Sequence, residues 1–276
     1  MMKTETIQLA EIYPALGENG RQPRLDVYLP ENLSEMRRTD RKKPAILVCP
    51  GGGYGMCSQR EAEPIALHFL AAYYNVFVLW YSVAPHRWPT QLTEVAGAME
   101  LIYAKAEAWR TDTSRIAIMG FSAGGHLAAH YSTASASPEV RATFPESKAP
   151  NASILCYPVI TADPTYSHHG SIENLLGHAP SADEIERFSC DKLVTAATPP
   201  AFLWHTSADN AVPVMNSYLY AAALAKYKIP TELHVYPYGQ HGLSTADEVT
   251  VDDVNAAITH ASAWLPAVKL WLKQIF

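Results

Sequence analysis

The sequence lacks a long hydrophobic segment. No run approaches the ~20 apolar residues that a membrane-spanning helix needs. Residues 1–10 mix polar and apolar side chains instead of forming the continuous apolar core of a signal peptide. We therefore expect a cytoplasmic protein with no membrane partner.

The chain is also poor in cysteine and in basic charge. Its four cysteines, Cys49, Cys57, Cys156 and Cys190, are too scattered for a zinc ribbon or a CxxC redox pair. They are predicted to be free thiols, and no metal or other cofactor is expected. Lysine and arginine number 21 against 27 acidic residues, for a net charge of -6. No basic surface for nucleic acid is therefore predicted.

What the sequence does contain is enough apolar material for one large core. Hydrophobic residues make up 48% of the 276 residues and charged residues 17%, a composition typical of a compact globule. No repeat, low-complexity tract or linker divides the chain. We predict a single domain over residues 1–276.

Apolar, β-branched runs of strand length recur along the chain and alternate with helical patterns. Several runs are apolar without a polar alternate face, as in strands that helices cover on both sides. This pattern predicts an α/β fold with a mainly parallel central sheet and helices on both faces, whose ligand site lies beyond the carboxyl ends of the strands. The predicted strands are residues 25–29, 45–49, 76–80, 115–119, 152–156, 201–205 and 232–236.

Residues 161–200 interrupt the alternation. They separate two predicted strands by about twice the usual crossover of a dozen or more residues. Within them, Ser181 and Glu184 match a helix capping box, and residues 172–177 resemble a short helix that ends at a glycine. We predict a small cap made of short helices.

Residues 120–124 have the sequence Gly-Phe-Ser-Ala-Gly and match the pattern G-x-S-x-G. In enzymes with a nucleophilic serine, glycines flank the serine because the turn from strand to helix is too tight for side chains there. The motif follows the predicted strand 115–119 and opens a predicted helix over 125–131. It therefore predicts Ser122 as a nucleophile, with an ordinary glycine-rich turn as the alternative.

A second glycine run, Pro-Gly-Gly-Gly-Tyr at residues 50–54, follows another predicted strand. Small residues there let backbone N–H groups approach a developing negative charge. We predict Gly52, Gly53 and Ala123 as the donors of an oxyanion hole. A phosphate-binding loop would need Gly-Lys-Ser/Thr or G-x-G-x-x-G, and neither is present; a plain glycine-rich turn stays open.

A serine hydroxyl needs a base, and that base needs an acid to orient it. In α/β-hydrolases the three groups follow the order Ser, Asp/Glu, His, the last two on loops after late strands. Asp209 follows the predicted strand 201–205 and His241 follows 232–236, which predicts these two residues as acid and base. His260 follows no strand and is the weaker alternative base. Asp209 as a simple helix cap before Val212 is the alternative for the acid.

The remaining histidine groups carry less weight. His126 and His130 have the i, i+4 spacing of a helical zinc pair, but Glu is missing beside the first histidine and no third ligand is evident. Helix packing is the preferred interpretation. For His168 and His169 we favour a solvated loop, with substrate contact as the alternative.

Taken together, these segments resemble the esterase/lipase branch of the α/β-hydrolases that includes hormone-sensitive-lipase-like enzymes. Within it the chain is most similar to the bifunctional feruloyl and acetyl xylan esterase type. The matching pieces span nearly the whole chain, in the expected order. They are residues 49–54 (CPGGGY), 81–85 (YSVAP), 88–89 (WP), 120–126 (GFSAGGH), 199–213 and 232–244.

Two positions depart from that pattern. Pro50 stands where a histidine often opens the glycine run, and Ser82 stands where an arginine commonly follows the tyrosine. The expected oxyanion donors are backbone groups, so Pro50 leaves them available, but contacts around the pocket differ.

The resemblance implies a serine carboxylic-ester hydrolase for short acyl groups, with acetylated sugars or xylo-oligosaccharides as the expected substrates. It also implies a pocket shaped by Tyr54, Tyr157 and aromatic residues of the cap. A prolyl-peptidase-like enzyme is the alternative with the same chemistry, and a non-catalytic receptor on the same fold is the alternative without it. A small-molecule ester is the expected partner, and the sequence leaves a homodimer open.

Overall fold

The computed structural model describes residues 2–36 and 39–276, which form an eight-stranded sheet with helices around it. The strand order across the sheet is β1-β2-β4-β3-β5-β6-β7-β8. β1 and β2 pair antiparallel, β2 joins β4 antiparallel, and the six strands from β3 to β8 run parallel. The strands are β1 (Lys3–Gln8), β2 (Arg24–Leu29), β3 (Lys43–Cys49), β4 (Asn75–Trp80), β5 (Thr111–Phe121), β6 (Ala152–Cys156), β7 (Ala201–Thr206) and β8 (Thr231–Tyr236).

All of the strands predicted from the sequence are present, with ends that differ by a few residues. The largest difference is in β5, which begins four residues before the predicted residue 115 and ends two after residue 119. The strand that the sequence did not predict is β1. It is a polar edge strand with mostly exposed residues, so it carries almost no apolar pattern that could mark it.

Helices cover both faces of the sheet. Because successive side chains of a strand point to opposite faces, Ile46 and Val48 belong to one buried cluster and Leu47 and Cys49 to the other. Helices α3, α4 and α8 pack on the Leu47 face, and α2 and α10 pack on the Ile46 face. The helices are α1 (Leu9–Ile12), α2 (Glu63–Leu70), α3 (Thr90–Ala104), α4 (Ser122–Ala134), α5 (Pro138–Arg141), α6 (His169–Leu176), α7 (Ala182–Phe188), α8 (Met215–Lys226), α9 (Ala256–Ala261) and α10 (Trp264–Ile275).

The predicted α/β class, with a mainly parallel sheet covered on both sides, is thus confirmed. In helix α3, the apolar residues Leu92, Val95 and Met99 are spaced to form one apolar stripe, but the helix is not buried on that stripe alone. It is buried almost all round, and its buried residues include the polar Gln91, Thr93 and Glu94. None of the described helices has both the length and the apolar character that crossing a membrane requires.

The segment between β6 and β7 folds into short helices, as its capping signals indicated. Ser181 accepts a hydrogen bond from the N–H of Glu184, whose side chain accepts one from the N–H of Ser181, so the capping box of α7 is formed. Helix α6 ends at Gly177, which has a left-handed φ of 90°. A 3-10 turn, Cys190–Leu193, then leads the chain back toward the sheet.

Candidate active site

Ser122 lies at the turn from β5 into α4. It is the first residue of the helix, and its φ of +53° is in the left-handed region that non-glycine residues rarely adopt. A Cβ on Gly120 would lie 2.0 Å from the carbonyl oxygen of Gly124, and one on Gly124 would lie 2.1 Å from that of Cys49. The turn is therefore too close to its neighbours for side chains, as the motif predicted.

The three side chains singled out from the sequence form one chain of hydrogen bonds. His241 Nε2 lies 2.7 Å from Ser122 Oγ, and His241 Nδ1 lies 2.6 Å from Asp209 Oδ2. Because a carboxylate oxygen only accepts, Nδ1 carries the proton and Nε2 is left to accept the serine proton. Ser122 is 7% exposed and the His241 side chain 21%, so neither group is fully closed off from solvent.

Asp209 is held by both of its oxygens. Oδ1 accepts from the N–H groups of Ala211 and Val212 at 2.9 and 2.8 Å and so holds a turn. The alternative of a helix cap is not met, because α8 begins only at Met215 and its N-cap is Val214. Oδ2 faces His241. Burial by itself would raise the pKa of Asp209, but hydrogen bonds from His205 and His241 and the charge of His241 outweigh burial and hold that pKa well below its usual range. The carboxylate is therefore ionised at neutral pH.

A further histidine, which the sequence did not single out, also reaches Asp209. His205 is fully buried at the end of β7, and its Nε2 lies 3.2 Å from Asp209 Oδ2 and 3.0 Å from the carbonyl oxygen of Val212. Nδ1 lies 2.8 Å from Ser217 Oγ. Since the Val212 oxygen only accepts, Nε2 carries the proton. The one available sequence signal was a polar residue inside an apolar strand, four residues before Asp209.

The loop of residues 51–54, here called the glycine loop, adjoins the serine. A Cβ on Gly51 would lie 3.0 Å from the Cβ of Ser122. Gly52 and Gly53 have φ angles of +124° and +63°, and in the part of the chain that the structure describes their N–H groups donate to no other residue. Ala123 is in the first turn of α4, where N–H groups have no helical acceptor. These three donors are free, and their oxyanion role stays a prediction.

The two predicted pocket tyrosines are almost completely buried. Tyr54 is 1% exposed and Tyr157 is 2% exposed. The Tyr54 hydroxyl lies 2.8 Å from His126 Nδ1, and the Tyr157 hydroxyl donates to Glu61 Oε1 at 2.7 Å. Their polar ends therefore face protein groups, and a pocket role would fall to their ring faces.

His126, His130 and Cys190 come together in the interior, with potential ligand atoms within 4.8 Å of one another. Nε2 of His126 donates to the carbonyl oxygen of Phe188 at 2.9 Å, so Nδ1 accepts the Tyr54 proton. Burial lowers the pKa of His126 to about 4, which keeps this ring neutral. With both nitrogens engaged, the ring has no lone pair left for a metal ion. The geometry favours the packing interpretation.

Helix α6 contacts the glycine loop. His168 caps this helix, because its Nδ1 accepts from the N–H of Ser171 at 3.2 Å. Asn174 Nδ2 donates to the carbonyl oxygen of Gly53 at 2.9 Å. His168 is half-buried, and His169 is exposed but is the first residue of α6. The interpretation of both as a solvated loop is therefore wrong, although His169 does face solvent.

Comparison with known proteins agrees with this architecture. A profile of the BD-FAE family matches residues 25–224. The chain is 39% identical over 235 residues to endo-1,4-beta-xylanase B of Butyrivibrio fibrisolvens, covering 80% of this chain and 36% of that protein. It is 34% identical over 224 residues to the acetylxylan esterase of Xylanibacter ruminicola, covering 78% of this chain and 42% of that protein. The chain thus spans less than half the length of either relative.

Among solved structures, the acetyl ester-xyloside bifunctional hydrolase from Caldicellulosiruptor lactoaceticus superposes with a TM-score of 0.84 at 33% identity. The match covers 98% of this chain and 96% of that one. Both the family profile and this full-length likeness agree with the fold described above. The chain therefore belongs to the BD-FAE family and has the α/β-hydrolase fold.

Proposed function

We propose that the chain cleaves carboxylic esters through Ser122, His241 and Asp209. Ser122 Oγ attacks the ester carbonyl while His241 Nε2 takes the hydroxyl proton. His241 then gives this proton to the leaving alcohol, and Ser122 keeps the acyl group. Water, activated by the same histidine, hydrolyses the acyl-enzyme. Asp209 orients the ring and stabilises the imidazolium without taking the proton.

Backbone donors complete the proposed reaction. The N–H groups of Gly52, Gly53 and Ala123 would hold the negative charge that develops on the carbonyl oxygen. Donors fixed in place before the reaction stabilise such a charge without reorganisation. The observation that carries the proposal is the pair of short contacts at 2.7 and 2.6 Å that joins serine, histidine and aspartate.

For the substrate we propose short acyl esters, with acetyl groups on sugars or xylo-oligosaccharides as the preferred class. The support comes from relatives named acetylxylan esterase and acetyl ester-xyloside bifunctional hydrolase. The contact of α6 with the glycine loop agrees with a small acyl site, since this loop would hold the carbonyl oxygen.

An activity panel tests the function and the substrate together. Purified protein is assayed on p-nitrophenyl esters of increasing acyl length, on acetylated xylobiose and on proline dipeptides, with Ser122→Ala as the matched control. We expect fast acetyl ester cleavage, sugar deacetylation and no amide cleavage. Brisk cleavage of simple esters without sugar deacetylation would refute the sugar substrate. Cleavage of the dipeptides would favour the peptidase alternative, and no reaction on any ester would refute the function.

A further inference from the structure

A buried carboxylate that the mechanism above does not use lies behind the site. Glu61 ends a 3-10 turn, Gln59–Glu61, and is 3% exposed. Among the described residues it forms no ion pair. A buried carboxylate without a cation is costly and persists only when hydrogen bonds replace the lost water. The partners that supply these bonds therefore indicate what Glu61 does.

One partner begins the glycine loop, and the other is hydrogen-bonded to the segment that carries His241. Oε2 accepts from the N–H of Gly51, the first residue of the glycine loop, at 2.7 Å. Oε1 accepts from the Tyr157 hydroxyl at 2.7 Å. The Tyr157 oxygen in turn accepts from the N–H of Ser244 at 2.9 Å. Ser244 closes the turn that holds His241, called here the histidine loop (residues 239–244).

The directions of these bonds follow from their donors. The Ser244 N–H can only donate, so the Tyr157 oxygen accepts that hydrogen bond. The Tyr157 hydroxyl then donates its own hydrogen bond to Glu61. Glu61 thus accepts two hydrogen bonds and donates none, an arrangement that favours the ionised carboxylate. Burial raises the pKa of Glu61, and the bonds from Tyr157 and Gly51 offset part of that rise.

Two more contacts tie Glu61 and its neighbours to the histidine. The Tyr157 ring packs edge-on against the His241 ring, with centroids 5.1 Å apart. Ser244 Oγ donates to the carbonyl oxygen of Arg60, the residue before Glu61, at 2.5 Å. The turn that carries Glu61 therefore contacts the glycine loop through the Glu61 side chain. It contacts the histidine loop twice, through Tyr157 and through the bond from Ser244 Oγ to Arg60.

We propose that Glu61 is a positioning residue that sets the distance between the glycine loop and the histidine loop. This inference rests on the function proposed above, since it assigns both loops to the same reaction. Among the described residues, Glu61 forms no hydrogen bond with Ser122, Asp209 or His241. It acts through Gly51 on the backbone donors and through Tyr157 and Ser244 on the base.

The test compares Glu61→Gln with Glu63→Gln on p-nitrophenyl acetate. Glu63 lies two residues away and is exposed, so it controls for the loss of one negative charge. The amide introduced by Glu61→Gln presents an NH2 group to one of the two donors, so one link is lost. Because small misplacements of reacting groups cost up to about 100-fold, we expect kcat of Glu61→Gln to fall about 10- to 100-fold with KM within about threefold. Glu63→Gln should keep both constants.

Tyr157→Phe provides the second variant. It removes the link to Ser244 and leaves the bond between Glu61 and Gly51, so we expect a several-fold loss in kcat that is smaller than that of Glu61→Gln. Glu61→Asp keeps the charge and should recover part of the lost kcat.

The outcomes separate this proposal from the function itself. A folded Glu61→Gln protein with kcat within about threefold of wild type, or with the loss confined to KM, would overturn the positioning role. If Glu61→Gln does not fold, an unchanged kcat in Tyr157→Phe overturns it instead. If Ser122→Ala retains esterase activity, the proposed function fails regardless of Glu61. If Ser122→Ala is inactive while Glu61→Gln is normal, only the positioning role fails.

Discussion

Nε2 of His205 lies 3.2 Å from Oδ2 of Asp209, the oxygen that also contacts His241 at 2.6 Å. The His205 side chain is fully buried and that of Asp209 is 1% exposed. One carboxylate oxygen thus receives two imidazole N–H groups, while the other receives two backbone N–H groups. The acid is fixed from every side before a substrate arrives, which is the preorganisation that the proposed mechanism needs.

We predict that His205→Leu lowers kcat for p-nitrophenyl acetate by about 10- to 100-fold, because Asp209 loses a donor and gains freedom to move. His205→Gln should recover much of the activity, since its amide N–H can occupy the place of Nε2. Steady-state kinetics on folded variants measure both. Equal losses in the two variants, or no loss in His205→Leu, would contradict the role given to this contact.

The glycine next to the serine turn gives a stability prediction. A Cβ on Gly124 would lie 2.1 Å from the Cys49 carbonyl oxygen and 2.3 Å from that of Pro50. Because backbone atoms cannot yield as a side chain can, Gly124→Ala should lower the free energy of unfolding by more than about 2 kcal/mol.

Gly170→Ala is the matched control, since the nearest atom to its Cβ is His168 Cε1 at 3.7 Å. Gly170 is the second residue of helix α6, so alanine there should leave the stability unchanged or raise it by up to about 1 kcal/mol. Urea unfolding measures both free energies. Similar stabilities for the two variants would show that the turn is less crowded than the distances indicate.

The sequence predicted the parts of the site that follow local rules. Ser122, Asp209 and His241 each follow a recognisable strand, so their order placed them at one edge of the sheet. His205 and Glu61 had no such marker, because their roles depend on which distant atoms lie around them. The burial of α3 on nearly all sides was likewise hidden, since polar residues interrupt its apolar pattern. Contacts between segments far apart in the chain were thus the part that patterns did not reveal.

Glu94 predicts an unusual dependence of stability on pH. It is fully buried in α3 and accepts hydrogen bonds from the N–H and hydroxyl of Ser82 at 2.7 and 2.6 Å. Both of these donors are neutral, so neither supplies a positive charge to the carboxyl group. Burial raises the pKa of Glu94 to about 7, although the bonds from Ser82 oppose this rise.

The folded protein therefore keeps the Glu94 proton over a range in which the unfolded chain has lost it. Below about pH 4.5 both states are protonated and no difference arises. As the pH rises from 4.5 to about 7, the folded state loses stability, on the order of 3 kcal/mol in total. The amide introduced by Glu94→Gln does not titrate, so this variant does not have this pH-dependent loss of stability. Relative to wild type, this variant should gain stability as the pH rises from about 5 to about 8.

Urea unfolding at several pH values measures this difference directly. Glu100→Gln, on the same helix but only partly buried, is the control and should follow wild type. A constant difference between Glu94→Gln and wild type across this pH range would contradict the raised pKa of Glu94.

The hydroxyl of Ser122 is the group on which the proposed mechanism depends most. The most direct measurement is kcat of purified, folded Ser122→Ala on p-nitrophenyl acetate beside wild type. By analogy with the loss of the nucleophile in other serine hydrolases, we predict a fall on the order of 10⁴- to 10⁶-fold. A kcat within about tenfold of wild type would contradict the assignment of Ser122 as the nucleophile and, with it, the proposed mechanism.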